Sequence, residues 1–597
     1  MTRIGRTLAL VLALALPALL HAAEPKVLRY AFPKAETGFD PAQLSDLYSR
    51  IVTGHIFEAP LTYDHLARPY ELRPSTAAAM PEVSADFKTF TFRIKPGIYF
   101  ADDPVFKGRK RELVAQDYVY ALKRIYDPKW KSPTHSNVEE EGILGLQELR
   151  EAALKSGKPF DYDREVEGLR ALDRYTLQVR LREPRPRHLY VWASPDIYGA
   201  VAREVVEAYG DNIMAHPVGT GPFKLSDWRR SSRIVLVRNP GYRDVAYDAH
   251  PNADDAYGQA LLKRFKGQRL PMIDQVEISI IEEAQPRWLA FLNGEQNFIE
   301  RLPAEFVSQA APGGKLAPNL AKRHMQLYRE PASDITLTVF NMEDPMVGGY
   351  TPAQVALRRA MVLADNMARE IDLGRHGQAI PAQSIMTPLS TGYRSDMRTE
   401  MSRYDPARAK ALLDMYGYID RDGDGWRERP DGQPLRLEVL TEASQDTRRL
   451  LELWKKSMDE IGVRAELKVA QWPENLKATR AGKFMMWRVG SLAATPDGQG
   501  ALERAYGPSV GKANLARFRN DDFDRVYEQL KLLPDGPERL KLFDEATKLL
   551  VAYVPYRLGV HRIYTDMATP QVIGYKRPPF WQDWWQYVDV VDGKELP

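Results

Sequence analysis

Two short strings in the sequence hold residues whose types and spacing could do chemistry. Gly507-Pro508-Ser509-Val510-Gly511 fits G-x-S-x-G, and Asp522 and His561 follow it in the serine–acid–histidine order of α/β-hydrolases. Such a serine needs an apolar strand before it and a helix directly after it. Glu503-Arg504-Ala505-Tyr506 is not that strand, and Pro508 constrains the turn, so the context opposes a secreted serine hydrolase acting through Ser509. The second string, Asp420-Arg421-Asp422-Gly423-Asp424-Gly425, fits D-x-D-x-D-G, with Asp431 at the twelfth position, where an EF-hand has a bidentate glutamate. Asp420, Asp422, Asp424 and Asp431 form a calcium candidate. Pro430 and the strand expected next favour the rival reading, an aspartate turn bonded to its own backbone.

Other chemistries are bounded by what the chain lacks. It has no cysteine, which removes thiol nucleophiles, thiolate metal sites, disulfides and a cysteine-linked lipid anchor. The ten histidines are scattered without an H-x-x-x-H pair, so the residues do not support a directly bound transition metal. No cofactor is implied.

The elements that must position any site alternate between strand and helix. Leu435, Leu437 and Val439 have the period of a half-buried strand; Leu450, Trp454, Met458 and Ile461 recur at helical spacing before Gly462; Val463, Ala465, Leu467 and Val469 alternate again. Residues 435–469 therefore read as a β-α-β unit with parallel strands. Asp405-Pro406 starts a helix through Ala409, Leu412, Leu413 and Tyr416. Ala356, Ala360, Leu363 and Met367 form the apolar face of another, with Arg358, Arg359 and Asp365 expected opposite it. Strands are expected at Thr89–Ile94 and Ile234–Val237, each next to a turn. Trp581, Trp584 and Trp585 have one-face helical spacing and read as a terminal element docked on the core. The class is α/β with several sheets.

The chain has 597 residues, 44% of them hydrophobic, enough for about three domains with sizeable cores. Arg3 and Arg6 precede an apolar run from Leu8 to Leu20 and then His21-Ala22-Ala23, the order of a cleaved secretory signal over residues 1–23. Interrupted by Pro17, the run is too short to span a bilayer, so a chain that is not membrane-embedded is expected in the periplasm. With 83 basic and 80 acidic residues, the near-neutral balance gives no argument for nucleic acid.

His216-Pro217-Val218-Gly219-Thr220-Gly221-Pro222-Phe223-Lys224-Leu225, continuing to Arg238-Asn239-Pro240-Gly241-Tyr242, closely resembles the signature of extracellular solute-binding proteins of the peptide/nickel class (family 5). Phe39-Asp40-Pro41-Ala42, Phe90 through Gly97 and Phe340-Asn341-Met342 fall in the same family's order. The glycine-rich part lacks the later glycine and following helix of a dinucleotide loop, and reads as a tight turn before a strand.

The resemblance implies a two-lobe periplasmic-binding-protein fold of type II, cluster C-like, with an inserted extra domain in the first lobe. Lobe 1 would comprise 24–57, 201–330 and 560–597, with the insertion at 58–200, and lobe 2 would be 335–555. The chain would cross between lobes near Tyr328–Thr336 and Val554–Ile563. The function implied is capture of a peptide or peptide-like solute for an inner-membrane ATP-binding-cassette permease with a cytoplasmic ATPase, by a monomer that is not an enzyme. Haem, an opine, a glycan and chelated nickel are the alternative solutes. A folding protein that holds unfolded segments in the cleft is a further alternative.

In oligopeptide-binding relatives the matching strand end has an arginine two residues before a glycine, and an aspartate four residues after the glycine that holds the peptide's α-amine. Arg488 and Gly490 match here, the aspartate's place is Ala494, and Asp497 lies three residues on. Trp487 and Ser491 complete this expected wall, and Ser45, Asp46 and Tyr48 match the family loop that lines the opposite one. Against a ligand role, Arg488 reads as a salt-bridged arginine, Asp497 as a turn carboxylate, and Trp487 as packing between layers.

Overall fold

The alternation of Leu435, Leu437 and Val439 becomes strand Arg436–Thr441, and the helical stretch becomes Gln445–Glu460, started by Ser444 Oγ accepting the Thr447 N–H at 3.1 Å. Strand Arg464–Val469 then runs parallel to the first, so the β-α-β unit is present. In this computed structural model the described residues are 24–44, 46–68, 70–442 and 444–591, apart from the side chains of residues 445 and 446. The signal expected at residues 1–23 and the cleft candidate Ser45 lie outside them. Among the described residues no helix is long and apolar enough to cross a membrane.

Two large hydrophobic cores organise the chain. One gathers Leu28, Phe57, Phe90, Tyr118, Phe223, Ile278 and Trp585; the other lies within residues 335–558 and includes Leu337, Leu363, Val439, Trp487 and Phe543. The first core carries a sheet in which Val27–Phe32 lies parallel to Gln275–Ile280, followed by antiparallel Arg233–Arg238 and Phe223–Arg229. A separate antiparallel sheet holds Glu82–Val83, Thr89–Arg93, Thr176–Arg180 and Leu169–Ala171. Its residues share the first core, and within that core buried Arg124, from helix Ala115–Tyr126, makes a two-pronged pair with Asp40, at 2.6 and 2.9 Å. The glycine-rich turn does lead into a strand: a Cβ on Gly219 would stand 2.0 Å from the Ile56 carbonyl oxygen, so only glycine fits.

The chain passes twice between the regions of the two cores. Strand β1 (Gln326–Pro331) continues through residues 332–333 into β2 (Asp334–Phe340), which pairs with β3 (Met486–Leu492). Strand β4 (Tyr556–Leu558) continues through Gly559 into β5 (Val560–Ala568). On one side β1 pairs with β5 and on the other β2 pairs with β4, both antiparallel, so the crossings run side by side. A Cβ on Gly559 would meet Thr336 Oγ1 at 2.4 Å, which is how close they come. Fully buried Asp334 pins them: its carboxylate accepts from the Arg562 N–H at 2.9 Å and the Tyr564 hydroxyl at 2.8 Å, and pairs with the Arg562 guanidinium.

Three expectations need correction. Arg358 does not lie on a solvent face of helix Pro352–Ala364; it is fully buried and donates to the carbonyls of Val347 (2.7 Å), Gly349 (2.9 Å) and Tyr553 (2.8 Å). It thereby satisfies carbonyls at the end of helix Pro537–Tyr553, and burial pulls its pKa down to about 10. Asp365 is likewise buried, against Arg557. The tryptophan trio dock on the core but form no α-helix; only Trp585–Tyr587 make a 3-10 turn, with Trp581 stacked on Tyr63 and Trp585 on His55.

Candidate functional site

Where the two crossings meet, a small cavity of about 30 Å³ opens, room for a water or two in this form of the molecule. Its walls include Ala332 and Ser333 of the first crossing, Tyr564 of β5, Leu492 at the end of β3 and Ala493 just after it. Arg301 and Arg577 supply charge: their guanidinium carbons lie 4.5 and 4.8 Å from the Tyr564 ring centroid, a cation on each of two approaches to one ring. Arg577 is neutralised by Asp566, to which its Nε donates at 2.7 Å. Leu389 and the Pro578-Pro579 pair give the cavity an apolar side.

A larger space, about 160 Å³, lies within the region of the first core beside Glu58, Asp64, Arg73 and Arg243. Those charges are already paired, Arg243 with Glu58 at 2.6 Å and Arg73 with Asp64 at 3.0 Å. It also touches neither crossing, so the smaller cavity is the functional candidate.

The residues expected at the site are placed unevenly around it. Tyr48 is half-buried, 4.9 Å from the Phe32 ring; burial pushes its hydroxyl pKa up, against the pull of Arg301 nearby. Asp46 caps helix Leu47–Gly54, accepting from the Ser49 N–H at 2.8 Å and the Thr37 hydroxyl at 2.6 Å. Gly490 is exposed, and a Cβ there would approach Arg562 Nη2 to 3.4 Å. Ser491 accepts a hydrogen bond from Arg504.

Neighbours on β3 point to opposite faces, which separates Trp487 from Arg488. Trp487 is fully buried with its ring 5.1 Å from Trp472, so it packs between layers. Arg488 donates to Glu370 at 3.0 Å, and Arg375 and Arg557 crowd the same carboxylate at 2.8 and 3.6 Å. Burial would raise the Glu370 carboxyl, but Arg488, Arg375 and Arg557 together hold it well below the usual carboxylate range. Asp497 is buried, and Arg539 takes both its oxygens at 2.7 Å, leaving no carboxylate free to serve in place of the aspartate absent at Ala494.

The two chemical strings fare differently. Asp420, Asp422 and Asp424 converge with Glu428, not with Asp431, their ligand atoms all within 4.8 Å. Asp431 turns away to Arg429 at 3.1 Å, because Pro430 and the turn into the next strand carry it off the loop. Asp420 accepts from the Gly423 and Gly425 N–H groups at 2.7 and 2.9 Å, the self-bonded turn. Ser509 Oγ donates to Glu503 at 3.3 Å, Asp522 pairs with Arg525, and His561 Nδ1 lies 2.7 Å from the Asp334 carbonyl oxygen. No hydrogen bond joins the three among the described residues, so the nucleophile–base–acid relay is not assembled.

Arg301, Ser333, Tyr564 and Arg577 had no signal in the sequence. They stand on different strands and loops and converge only through the pairing of β1 with β5.

A family model described as bacterial extracellular solute-binding proteins, family 5 Middle, matches residues 71–513. The chain is 25% identical to the di/tripeptide-binding protein 2 of Pseudomonas aeruginosa, over 96% of each chain. It is 24% identical to heme-binding protein A of Haemophilus influenzae, over 95% of this chain and 92% of that one. Among solved structures, its fold is similar to that of the periplasmic binding protein DppA from Helicobacter pylori in complex with the peptide STSA: the TM-score is 0.73 at 20% identity, covering 94% of this chain and 98% of that one.

Proposed function

The chain belongs to the bacterial extracellular solute-binding proteins, family 5, and from that premise we propose that it is the receptor of an ATP-binding-cassette importer, capturing a peptide or peptide-like solute in the cavity between its lobes. The observation that carries this reading is a cavity set where two side-by-side crossings join separate hydrophobic cores. Such crossings form a hinge about which lobes close, burying the solute and presenting a closed face to a permease. The step is binding and needs no covalent chemistry, so the receptor is not an enzyme. Lobe 1 is 24–57, 201–330 and 560–597, with the inserted domain at 58–200, and lobe 2 is 335–555; the second core, confined to 335–558, supports this division. Residues 1–23 direct the chain to the periplasm, where it acts as a monomer.

Tyr48 and Gly490 are not among the residues that line this cavity, while Arg488 holds the lobe 2 wall through Glu370. Titration calorimetry with a pool of di- and tripeptides tests the reading: one-to-one binding supports it. Absence of binding to the pool, with haem bound instead, would move the receptor to another solute, in line with the haem-binding relative.

A further inference from the structure

The larger cavity, set apart from both crossings, has a chemistry of its own. Besides its paired charges it is lined by Tyr63, Tyr247, Asp583 and Gln586, and each of these has a buried oxygen with no hydrogen-bond partner among the described residues: the two tyrosine hydroxyls, Asp583 Oδ1 and Gln586 Oε1. Tyr63, Tyr247 and Gln586 are only 3%, 1% and 7% exposed, so water outside the protein does not serve them. Burying one polar atom without a partner is costly, and four around a single space mark it as a place for a polar occupant.

Asp583 gives that place its sign. Burial first, and then the neighbouring carboxylates of Asp196 and Glu58, push its pKa up to about 8. Both neighbours already have an arginine, Arg50 for Asp196 and Arg243 for Glu58, and Asp583 has no such partner among the described residues. Lys95, a cation in the same wall, donates to the Ser75 carbonyl at 2.9 Å and belongs to the group of Arg243, Glu58 and Arg73.

The unpartnered oxygens fit an ammonium group, which offers three N–H donors and accepts nothing. Asp583 and Gln586 supply two acceptors three residues apart, and a tyrosine hydroxyl supplies the third. A hard metal ion takes about six to eight oxygens, and with Glu58 and Asp64 held by arginines the wall has too few to give. Tyrosine rings favour an organic cation, whose charge is drawn to their faces. At about 160 Å³ the cavity has the size that takes a molecule of about six heavy atoms, and exposed Ala246 and Asp248 in its lining give it a way to the surface.

We propose that this cavity is a second binding site, separate from the one between the cores, for a small primary amine whose ammonium group is seated on Asp583. It does not depend on which solute the crossings enclose.

The test titrates the full mature protein with butylamine hydrochloride, with 1-butanol as the uncharged probe of the same shape and with potassium chloride as the bare cation, at constant ionic strength. Butylamine binds one-to-one and the other two do not. Asp583→Asn weakens butylamine about 30-fold or more, and Tyr247→Phe, which keeps the ring, weakens it several-fold; unfolding curves verify that each variant folds, and either variant alone carries the test. Equal binding of butylamine and butanol would overturn the ammonium site, and so would potassium binding in place of butylamine. Butylamine affinity unchanged in both variants would overturn it by placing the amine elsewhere. Failure of butylamine to bind would overturn it too, leaving the cavity to ordered water only.

Discussion

Asp497 shows how a carboxylate three residues beyond a family position can be present without being free to bind. Its two oxygens are bonded to Arg539 at 2.7 Å, and Arg187 from another part of the chain stands 3.9 Å away. Breaking such a buried pair costs about 3–5 kcal/mol because the partner charge is left unpaired. Asp497→Ala is therefore expected to lower the urea unfolding midpoint markedly while leaving solute affinity within a few-fold. A large loss of affinity in a variant of unchanged stability would return Asp497 to the ligand. Sequence could not decide this, because an aspartate three residues beyond Ala494 is compatible with a loop shift or a structural pair, and only the position of Arg539, 42 residues on, distinguishes them.

At the scale of elements, local patterns carried well and non-local ones did not. The β-α-β unit at 435–469 and the helix after Asp405-Pro406 were legible, since period and capping are written within a dozen residues. Arg358 was misplaced because a charged residue on a helix normally faces water, and its carbonyl partners lie up to 196 residues away. The tryptophans imitated a helix because stacking onto separate partners produced the same spacing.

One contact between elements is expected to make the molecule sensitive to pH. Glu503, in the region of the second core, faces Glu140, Glu141 and Arg185 in the region of the first, with Arg504 beside it and Ser509 donating to its carboxylate. Burial first, and Glu140 second, push its pKa up to about 7 from 4.5. Between those values the folded state binds more protons than the unfolded one, so this contribution is present below about pH 4.5 and is lost as pH rises through about 7. Comparing urea midpoints at pH 5 and pH 8, Glu503→Gln should flatten the decline by about 1–2 kcal/mol relative to the parent chain. An unchanged slope would show that Glu503 ionises freely in the folded protein.

For the whole molecule, the central feature is the double crossing: two strands passing side by side between two cores, pinned at Asp334 and open at one cavity. That arrangement brings Arg301 and Tyr564 together with Leu492 and Ala493 around the cavity. Contacts away from the crossings also join the two regions and would hold a closed form, among them Arg187 donating to the Lys531 and Leu533 carbonyls at 2.8 and 2.9 Å, and Lys34 paired with Glu442 at 3.0 Å. A solute bridging the cavity walls stabilises the same form, because it binds that form better than the open one. Small-angle X-ray scattering of the mature protein before and after saturation with the pool of di- and tripeptides tests this most directly. The account predicts a smaller radius of gyration on saturation. Saturation by peptide with an unchanged radius of gyration would contradict closure around the cavity.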